Sequence, residues 1–487
     1  MQRSPLLFSR SVGFLAIVLL VAHGCTAAGT RTPAGSDQDA AGPSSSGSGG
    51  DTGSSGSGGT TASHPDAAAV GTSCNGLTCQ QTTCTGPGCT APPCMGPSAR
   101  TSLSGIVYDP AGKVPLYNVS VYIPNSTLPP LAEGATCDRC DTAIPGHPIA
   151  TSQTDAKGAF FLDNPPVGND IPLVIQIGKW RRELKVPVMG CVQNVITDKN
   201  VTRLPRNQSE GHIPKIALTT GGADAMECLL RKIGLEDSEF TPEAGTGRVN
   251  FFSGVGGTAA YVPTLNAGAA FTDAATWWEL KANLMKYDLV LHSCEGTERP
   301  VNKSIAARQA LLDYLNAGGR VFASHWHNYW LEFGAPPLPT TAVFNHQGAL
   351  DMITSTIDTS FPKGNALADW LLNVGGSTVR GQLPIAGAKH TVDAVNPMVS
   401  QRWIYLDLPV SVQYFTSNTP IGVPAIQQCG RVVFSDIHVS SGVGDQSGPG
   451  FPFPMGCLTQ DLSPQEKALE FMLFDLSSCI MPDKPIP

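Results

Sequence analysis

The chain has 487 residues and a formal net charge of −8 at pH 7, from 31 Lys and Arg residues and 39 Asp and Glu residues. An acidic chain without a dense basic stripe argues against nucleic-acid binding, so we expect no nucleic acid among its partners. Beyond an N-terminal leader, a low-complexity segment and a cysteine-rich spacer, about 390 residues remain, which is enough for two or three domains with hydrophobic cores.

Residues 1–24 are typical of a secretory signal peptide. Arg3 and Arg10 flank a short basic segment, and the apolar run over 12–22 is too short to span a membrane comfortably as a permanent helix. Small residues at positions 22 and 24 precede Cys25, and this arrangement resembles the motif that bacterial lipoprotein processing cuts and acylates. The alternative is an ordinary cleavable signal followed by a chance cysteine.

This resemblance implies a lipid anchor on Cys25, hence a membrane partner and a cell-envelope location with the folded part outside the cytoplasm. Thr26 stands where an Asp typically retains lipoproteins in the inner membrane, so we expect the outer membrane. Residues 25–72 consist mainly of Gly, Ser, Ala and Thr, which bury too little apolar surface to fold. They are predicted to form a disordered tether.

A cysteine repeat with a period of five residues occupies the segment 73–98. Its members are Cys74, Cys79, Cys84, Cys89 and Cys94. The segment contains too few apolar residues for a core, which predicts a disulfide-stapled spacer, with a metal-binding cluster as the alternative.

The other cysteines are also expected to lie outside the reducing cytoplasm. The chain has 14 cysteines, and lipidation of Cys25 leaves 13, most of which we expect in disulfides. Cys137 and Cys140 form a CxxC pair in a loop, where we predict a structural disulfide, with Cys191 as a further candidate partner, over a redox motif. The odd number leaves at least one unpaired thiol, and Cys294 is the candidate.

Short β-rich runs separated by turn residues fill the segment 99–220 and predict an antiparallel β-sandwich. The order G-x-V-x-D-x-x-G over 105–112, followed by T-D-x-x-G-x-F over 154–160, resembles the carboxypeptidase regulatory-like domain, a prealbumin-like fold. The resemblance implies a folding, spacing or glycan-contacting module and no peptidase activity.

Strands alternate with helices in the segment 221–487, which predicts an α/β domain with a mainly parallel, flavodoxin-like sheet. The strand over 287–291, the helix ending at 314–319 and the strand that stops at His325 resemble the class I glutamine amidotransferase-like fold, particularly its trehalose-utilisation-like branch. Amidotransferases carry a nucleophilic cysteine in a G-x-C-x-G turn after the last of these strands. Here 323–327 contains neither that cysteine nor those glycines, so the resemblance does not imply glutaminase activity.

Ionisable side chains follow three of the predicted parallel strands. They are His292, Cys294 and Glu295, then His325 and His327, then Asp436 and His438. Because ligands bind beyond the carboxyl ends of parallel strands, we predict a shared pocket in which His292, His325 and His438 converge. Zinc is a chemically suitable occupant. The alternatives are a Cys294 nucleophile activated by a histidine, or buried groups with a purely structural role.

The sequence is compatible with three functions. The first is a cell-envelope lipoprotein whose α/β domain binds a small polar ligand or carbohydrate in the strand-end pocket. The second is a hydrolase that uses the histidine cluster, with or without metal. The third is a structural surface protein with a degenerate pocket. We favour binding over catalysis.

Overall fold

The computed structural model describes residues 94–95, 100–439 and 450–482. The predicted leader, the tether, almost all of the cysteine-repeat spacer and the lipidation site Cys25 lie outside these residues, so those assignments stay predictions. Within the described part, no helix combines the length and apolarity needed to cross a bilayer.

The first seven strands form two small sheets. They are β1 (Ser102–Ile106), β2 (Ser120–Ile123), β3 (Ala150–Gln153), β4 (Ala159–Asp163), β5 (Gly168–Ile177), β6 (Trp180–Val188) and β7 (Gln193–Ile196). One sheet has the order β4-β1-β7 and the other β3-β2-β5-β6. All the pairs are antiparallel except β1 with β7, so the prediction of a purely antiparallel arrangement is wrong at this edge.

A period of two in the sequence produces these strands. In β4, Phe160 and Leu162 are buried whereas Phe161 between them is exposed, as expected for a sheet with one face on the core. Leu103 of one sheet and Leu173 of the other belong to the same hydrophobic core cluster.

The larger sheet has 11 strands in the order β11-β10-β8-β12-β13-β20-β19-β18-β15-β16, with β9 beside β10. Its strands are β8 (Ile216–Thr219), β9 (Phe240–Thr241), β10 (Val249–Ser253), β11 (Thr272–Asp273), β12 (Leu289–His292), β13 (Arg320–Ser324), β15 (Ile353–Ile357), β16 (Gln382–Ile385), β18 (Gln401–Asp407), β19 (Val410–Thr419) and β20 (Gly430–Ser435). The strands from β11 to β20 run parallel, whereas those from β19 to β16 pair antiparallel. The protein therefore combines several mixed or antiparallel sheets.

Eight α-helical segments and one further strand pair complete the described fold. The helices are α1 (Lys199–Thr202), α2 (Met226–Lys232), α3 (Ala274–Trp277), α4 (Lys281–Leu284), α5 (Ile305–Asn316), α6 (Tyr329–Glu332), α7 (Pro362–Asn373) and α8 (Pro464–Ser477). The strands β14 (Ala342–Leu350) and β17 (Ala388–Val395) pair antiparallel outside the larger sheet.

Both faces of the parallel strands are covered. Leu289 and Leu291 of β12 lie in the core cluster that also contains the small sheets, whereas Val290 lies in a second cluster on the opposite face. A parallel strand buried on both sides explains the nearly continuous apolar run in the sequence. Because β8 lies between β10 and β12, the larger sheet begins before the predicted domain boundary at 220/221.

The described disulfides connect distant parts of the chain. They are Cys94–Cys191, Cys137–Cys429, Cys140–Cys479 and Cys228–Cys457. The prediction that Cys137 pairs with Cys140 or Cys191 is therefore wrong, although each of these cysteines does form a disulfide. Backbone hydrogen bonds between Asp138 or Cys140 and Ile480 hold Cys140 beside Cys479 instead.

Candidate functional site

Four neighbouring parallel strands end at one edge of the larger sheet. In register, Thr219 of β8 lies beside His292 of β12, and Ser324 of β13 lies beside Ser435 of β20. The residues that follow these strand ends therefore enter the same region, as the sequence predicts.

Cys294, His325 and His438 form a buried group that we call the thiol–imidazole cluster. The Sγ atom of Cys294 lies 3.4 Å from Nδ1 of His325. The ring centroids of His325 and His438 are 5.2 Å apart, and one ligand atom from each of the three residues lies within 4.8 Å of the other two. These side chains are 0%, 6% and 3% exposed, respectively.

The backbone at His325 is unusual, with a φ of 38°. This left-handed conformation is uncommon for residues other than Gly, although His, Asn and Asp adopt it more often than most. His325 also begins the 3₁₀ turn that runs to Asn328, in which successive side chains point about 120° apart. The two histidines have different neighbours, since His325 approaches Cys294 and His438 whereas His327 approaches Ser293 and Trp330.

Burial keeps the cluster uncharged. It raises the pKa of the Cys294 thiol to about 12 and lowers the pKa of His438 to about 3. Burial, together with electrostatic interactions with His438 and Lys389, lowers the pKa of His325 to about 2. A neutral thiol beside a neutral imidazole is not the thiolate–imidazolium pair that cysteine catalysis requires.

His292 and His327 form a second group, which shares no residue with the cluster. Their rings stack with centroids 5.0 Å apart, and His292 also stacks on Trp330. Nε2 of His327 lies 2.9 Å from the Ser293 carbonyl oxygen, while its Nδ1 accepts from the indole N–H of Trp330, so both nitrogens are occupied. The structure thus brings His325 and His438 together and places the ring of His292 beside that of His327, and His292 is not part of the group whose ligand atoms lie within 4.8 Å of one another.

The two predicted carboxylates have protein partners. Glu295 accepts from the backbone N–H of Val255 and from the Lys303 ammonium at 2.7 Å. Asp436 accepts from the backbone N–H and the hydroxyl of Thr391, both at 2.8 Å, and burial raises its pKa to about 7. These contacts hold loops against the strand ends.

Asp224 and Lys389 belong to the site and were not predicted. Asp224 accepts from the Ser324 hydroxyl at 2.7 Å and from the backbone N–H of Val439 at 2.9 Å, so it connects the loop after β8 to two strand ends. The positive charge of Lys389, in β17, acts electrostatically on His325, His438 and Cys294 and lowers the pKa of each. The apolar run 216–219, with an acidic residue shortly after it, could have revealed Asp224. That run, however, lay in the segment 99–220, which was assigned to the preceding domain.

A partly exposed acidic group lies at the end of α6. Nε2 of His346 is 2.7 Å from a Glu332 oxygen and 3.5 Å from a Glu298 oxygen, and Asn328 donates to both carboxylates. These three ionisable residues also satisfy the spacing of a metal site.

A cavity of about 840 Å³ lies elsewhere and borders none of the cluster residues. Its lining includes Lys113, Arg231, Lys232 and Lys467, together with Asp461. The lysines at 113 and 232 already form ion pairs, with Asp461 and Glu466. Size alone therefore does not identify the functional site, and we base the assignment on the chemistry of the strand ends.

No family model matches the sequence, and no curated protein matches it. Among solved structures, one neighbour is a ThuA-like protein from Bacteroides uniformis, with 9% sequence identity and a TM-score of 0.28, covering 54% of this chain and 91% of that chain. Two cohesin–X-dockerin complexes from Acetivibrio cellulolyticus match at 14% identity, with TM-scores of 0.15 and 0.16. They cover 29% and 28% of this chain and 75% and 85% of theirs.

Proposed function

We propose that this protein is an outer-membrane lipoprotein, anchored through Cys25, that binds a small polar ligand at the strand-end site. The observation that carries the binding function is a set of buried polar atoms at this edge that have no hydrogen-bond partner among the residues that the structure describes, namely His438 Nε2, His292 Nε2 and Ser293 Oγ. Buried polar atoms are normally hydrogen-bonded, so atoms of this kind at neighbouring strand ends favour a site that binds a polar ligand.

The proposal includes the finer fold assignments. The parallel half of the larger sheet, covered on both faces, supports a flavodoxin-like domain of the amidotransferase-like, trehalose-utilisation-like type. The two small sheets with a shared core support a carboxypeptidase regulatory-like β-sandwich that presents it. On this assignment the small sheets are a spacer between the anchor and the binding domain.

Burial favours a small ligand over a large one. The three residues of the thiol–imidazole cluster are at most 6% exposed, which suits an ion or a very small molecule better than a sugar ring. Carbohydrates are nevertheless included in the ligand panel that tests the binding function. Catalysis has less support, because the Cys294 thiol has a pKa raised to about 12 and is not a ready nucleophile.

Thermal unfolding of the purified exported protein against a ligand panel tests the binding function. The panel contains mono- and disaccharides, sugar acids, small carboxylates and first-row metal ions. We expect at least one compound to raise the Tm of the wild type and to lose this effect in His438→Ala, because a ligand that binds only the folded state stabilises it. His346→Ala, outside the cluster, is the matched control. A panel in which no compound distinguishes wild type from His438→Ala would favour a structural surface protein.

A further inference from the structure

We propose that Cys294, His325 and His438 bind one thiophilic first-row transition-metal ion, with Zn²⁺ as the reference ion. This inference rests on the proposed function and names the ligand class of the same site. Thiolate and imidazole are the ligands that Zn²⁺ and copper ions prefer, whereas Mg²⁺ and Ca²⁺ require oxygen ligands. The residues come from three different strand ends, so the fold itself assembles the ligand set.

The distances need only a small adjustment. An ion about 2.0 to 2.3 Å from each ligand atom requires these atoms to lie within roughly 4.4 Å of one another. The Cys294–His325 pair, at 3.4 Å, already meets this condition. The three ligand atoms lie within 4.8 Å of one another. Small side-chain rotations that move these atoms by a few tenths of an ångström therefore bring all three within reach of one ion.

His438 supplies the second, independent observation. Its side chain is 3% exposed, and its Nε2 atom has no hydrogen-bond partner within the described part of the protein. Its ring faces His325, at a centroid distance of 5.2 Å. Desolvating a polar nitrogen without a partner is unfavourable, and coordination to an ion would remove that cost.

The binding step is balanced without an added oxidant or reductant. The Cys294 S–H bond breaks, a sulfur–metal bond forms, the proton passes to solvent and both histidines coordinate through neutral nitrogens. The thiolate and the buried Asp224 carboxylate, which acts electrostatically on Cys294, together match the two positive charges of the ion. The positive charge of Lys389 opposes binding of the metal ion, because it acts electrostatically on all three ligand residues.

Substitution of Lys389 distinguishes a metal ion from an organic anion as the ligand of this site. Lys389→Met removes a repulsive charge, so it should tighten metal binding. If the natural ligand were an organic anion, the same substitution would remove an attractive charge and weaken binding. The backbone carbonyl of Lys389, which accepts from Gln413, is unchanged by this substitution.

The test is a titration of the chelator-stripped, exported protein with Co²⁺, a spectroscopic substitute for Zn²⁺, followed by displacement with Zn²⁺ or Cu⁺. We expect one equivalent of Co²⁺ to produce a thiolate-to-cobalt charge-transfer band and visible bands of tetrahedral cobalt. Cys294→Ser should abolish the charge-transfer band, and His438→Ala should lower Zn²⁺ affinity on the order of tenfold or more, since even outer-shell changes cost that much. His346→Ala should leave the band unchanged, which excludes the acidic group at α6.

The outcomes also separate this inference from the proposed function. A band that persists in Cys294→Ser, or wild-type protein that binds no ion, would overturn the metal site. If an organic compound then stabilises the wild type but not His438→Ala, the binding function stands without the metal. If no compound does so, both fail. Circular dichroism of each variant verifies folding, and proton release on Zn²⁺ binding by the wild type gives a readout that needs no substitution.

Discussion

The Sγ atom of Cys294 lies 3.4 Å from Nδ1 of His325, although the two residues follow different strands. Their proximity depends on the parallel register of β12 and β13, in which Leu289 pairs with Arg320 and His292 with Ala323. Within the described residues, Cys294 is the free cysteine, and it is the one placed among histidines. The fold thus keeps a thiol unpaired at the point where other strand ends deliver imidazoles.

The buried ion pair of Glu295 and Lys303 predicts a large effect on stability. Their side chains are 1% and 0% exposed and lie 2.7 Å apart. Glu295→Gln should lower the free energy of unfolding by about 3–5 kcal/mol, because it leaves the Lys303 ammonium buried without its counter-charge. Chemical denaturation of the variant measures this loss. The double variant Glu295→Gln with Lys303→Met should recover much of the stability, and a single variant as stable as the wild type would contradict the structural role.

The disulfides predict a specific peptide map. Non-reducing digestion followed by mass spectrometry should link the peptide containing Cys137 to that containing Cys429, and the Cys140 peptide to the Cys479 peptide. Reduction should lower stability, since each bond closes a loop of several hundred residues in the unfolded chain. A Cys137–Cys140 linkage, or Cys294 in a disulfide, would contradict this connectivity.

Local patterns in the sequence predicted the elements better than their long-range pairing. The apolar runs at β12 and β13 and the helix α5 were recognisable because their side-chain periods are strong. Between 273 and 285 the structure has the short α3 and α4, whose boundaries such periods do not mark. Asp273 caps α3, and the chain turns after Trp277 and Trp278, which are both buried.

For the site, the sequence predicted which residues follow the ends of the parallel strands, but it did not predict the directions of their side chains. That His325 and His327 diverge depends on a 3₁₀ turn with no clear sequence signal. The partners of Cys137 and Cys140 depend on contacts with residues about 300 positions away, which spacing does not encode. Lys389 enters from β17, a strand outside the parallel sheet, so the rule about strand ends could not find it.

A buried carboxyl pair between the small sheets and α8 predicts a pH dependence of stability. Burial raises the pKa of Asp109 to about 7, against hydrogen bonds and the Lys113 charge that lower it. Burial also raises the pKa of Glu470 well above its ordinary value, the Asp109 carboxylate raises it further, and Lys467 lowers it. The folded state therefore holds protons that the unfolded chain releases near its ordinary pKa of about 4.

The sign follows from proton binding. Where the unfolded chain holds fewer protons than the folded protein, stability falls as pH rises, here from about pH 4 through about pH 7. Glu470→Gln removes one of the two carboxyl groups. The free energy of unfolding of this variant minus that of the wild type should therefore be larger at pH 8 than at pH 5, by more than about 1 kcal/mol. Urea denaturation at both pH values measures this change. An equal difference at the two pH values would show that the pair does not titrate as described.

Anchoring through Cys25 predicts the fractionation of the protein. Cys25→Ser should prevent acylation and move the protein from the detergent-extracted membrane fraction to the soluble fraction, because the lipid is the proposed attachment. Cys294→Ser, which leaves the leader intact, is the matched control and should remain with the membrane. Unchanged fractionation of Cys25→Ser would refute the anchor.

Elemental analysis of the exported protein, purified without chelators, tests the central claim of an occupied strand-end site most directly. The account predicts close to one equivalent of a thiophilic first-row metal in the wild type and in His346→Ala. It predicts a strong loss of that metal in both Cys294→Ser and His438→Ala. Wild-type protein without bound metal, or equal metal content in all four proteins, would contradict it.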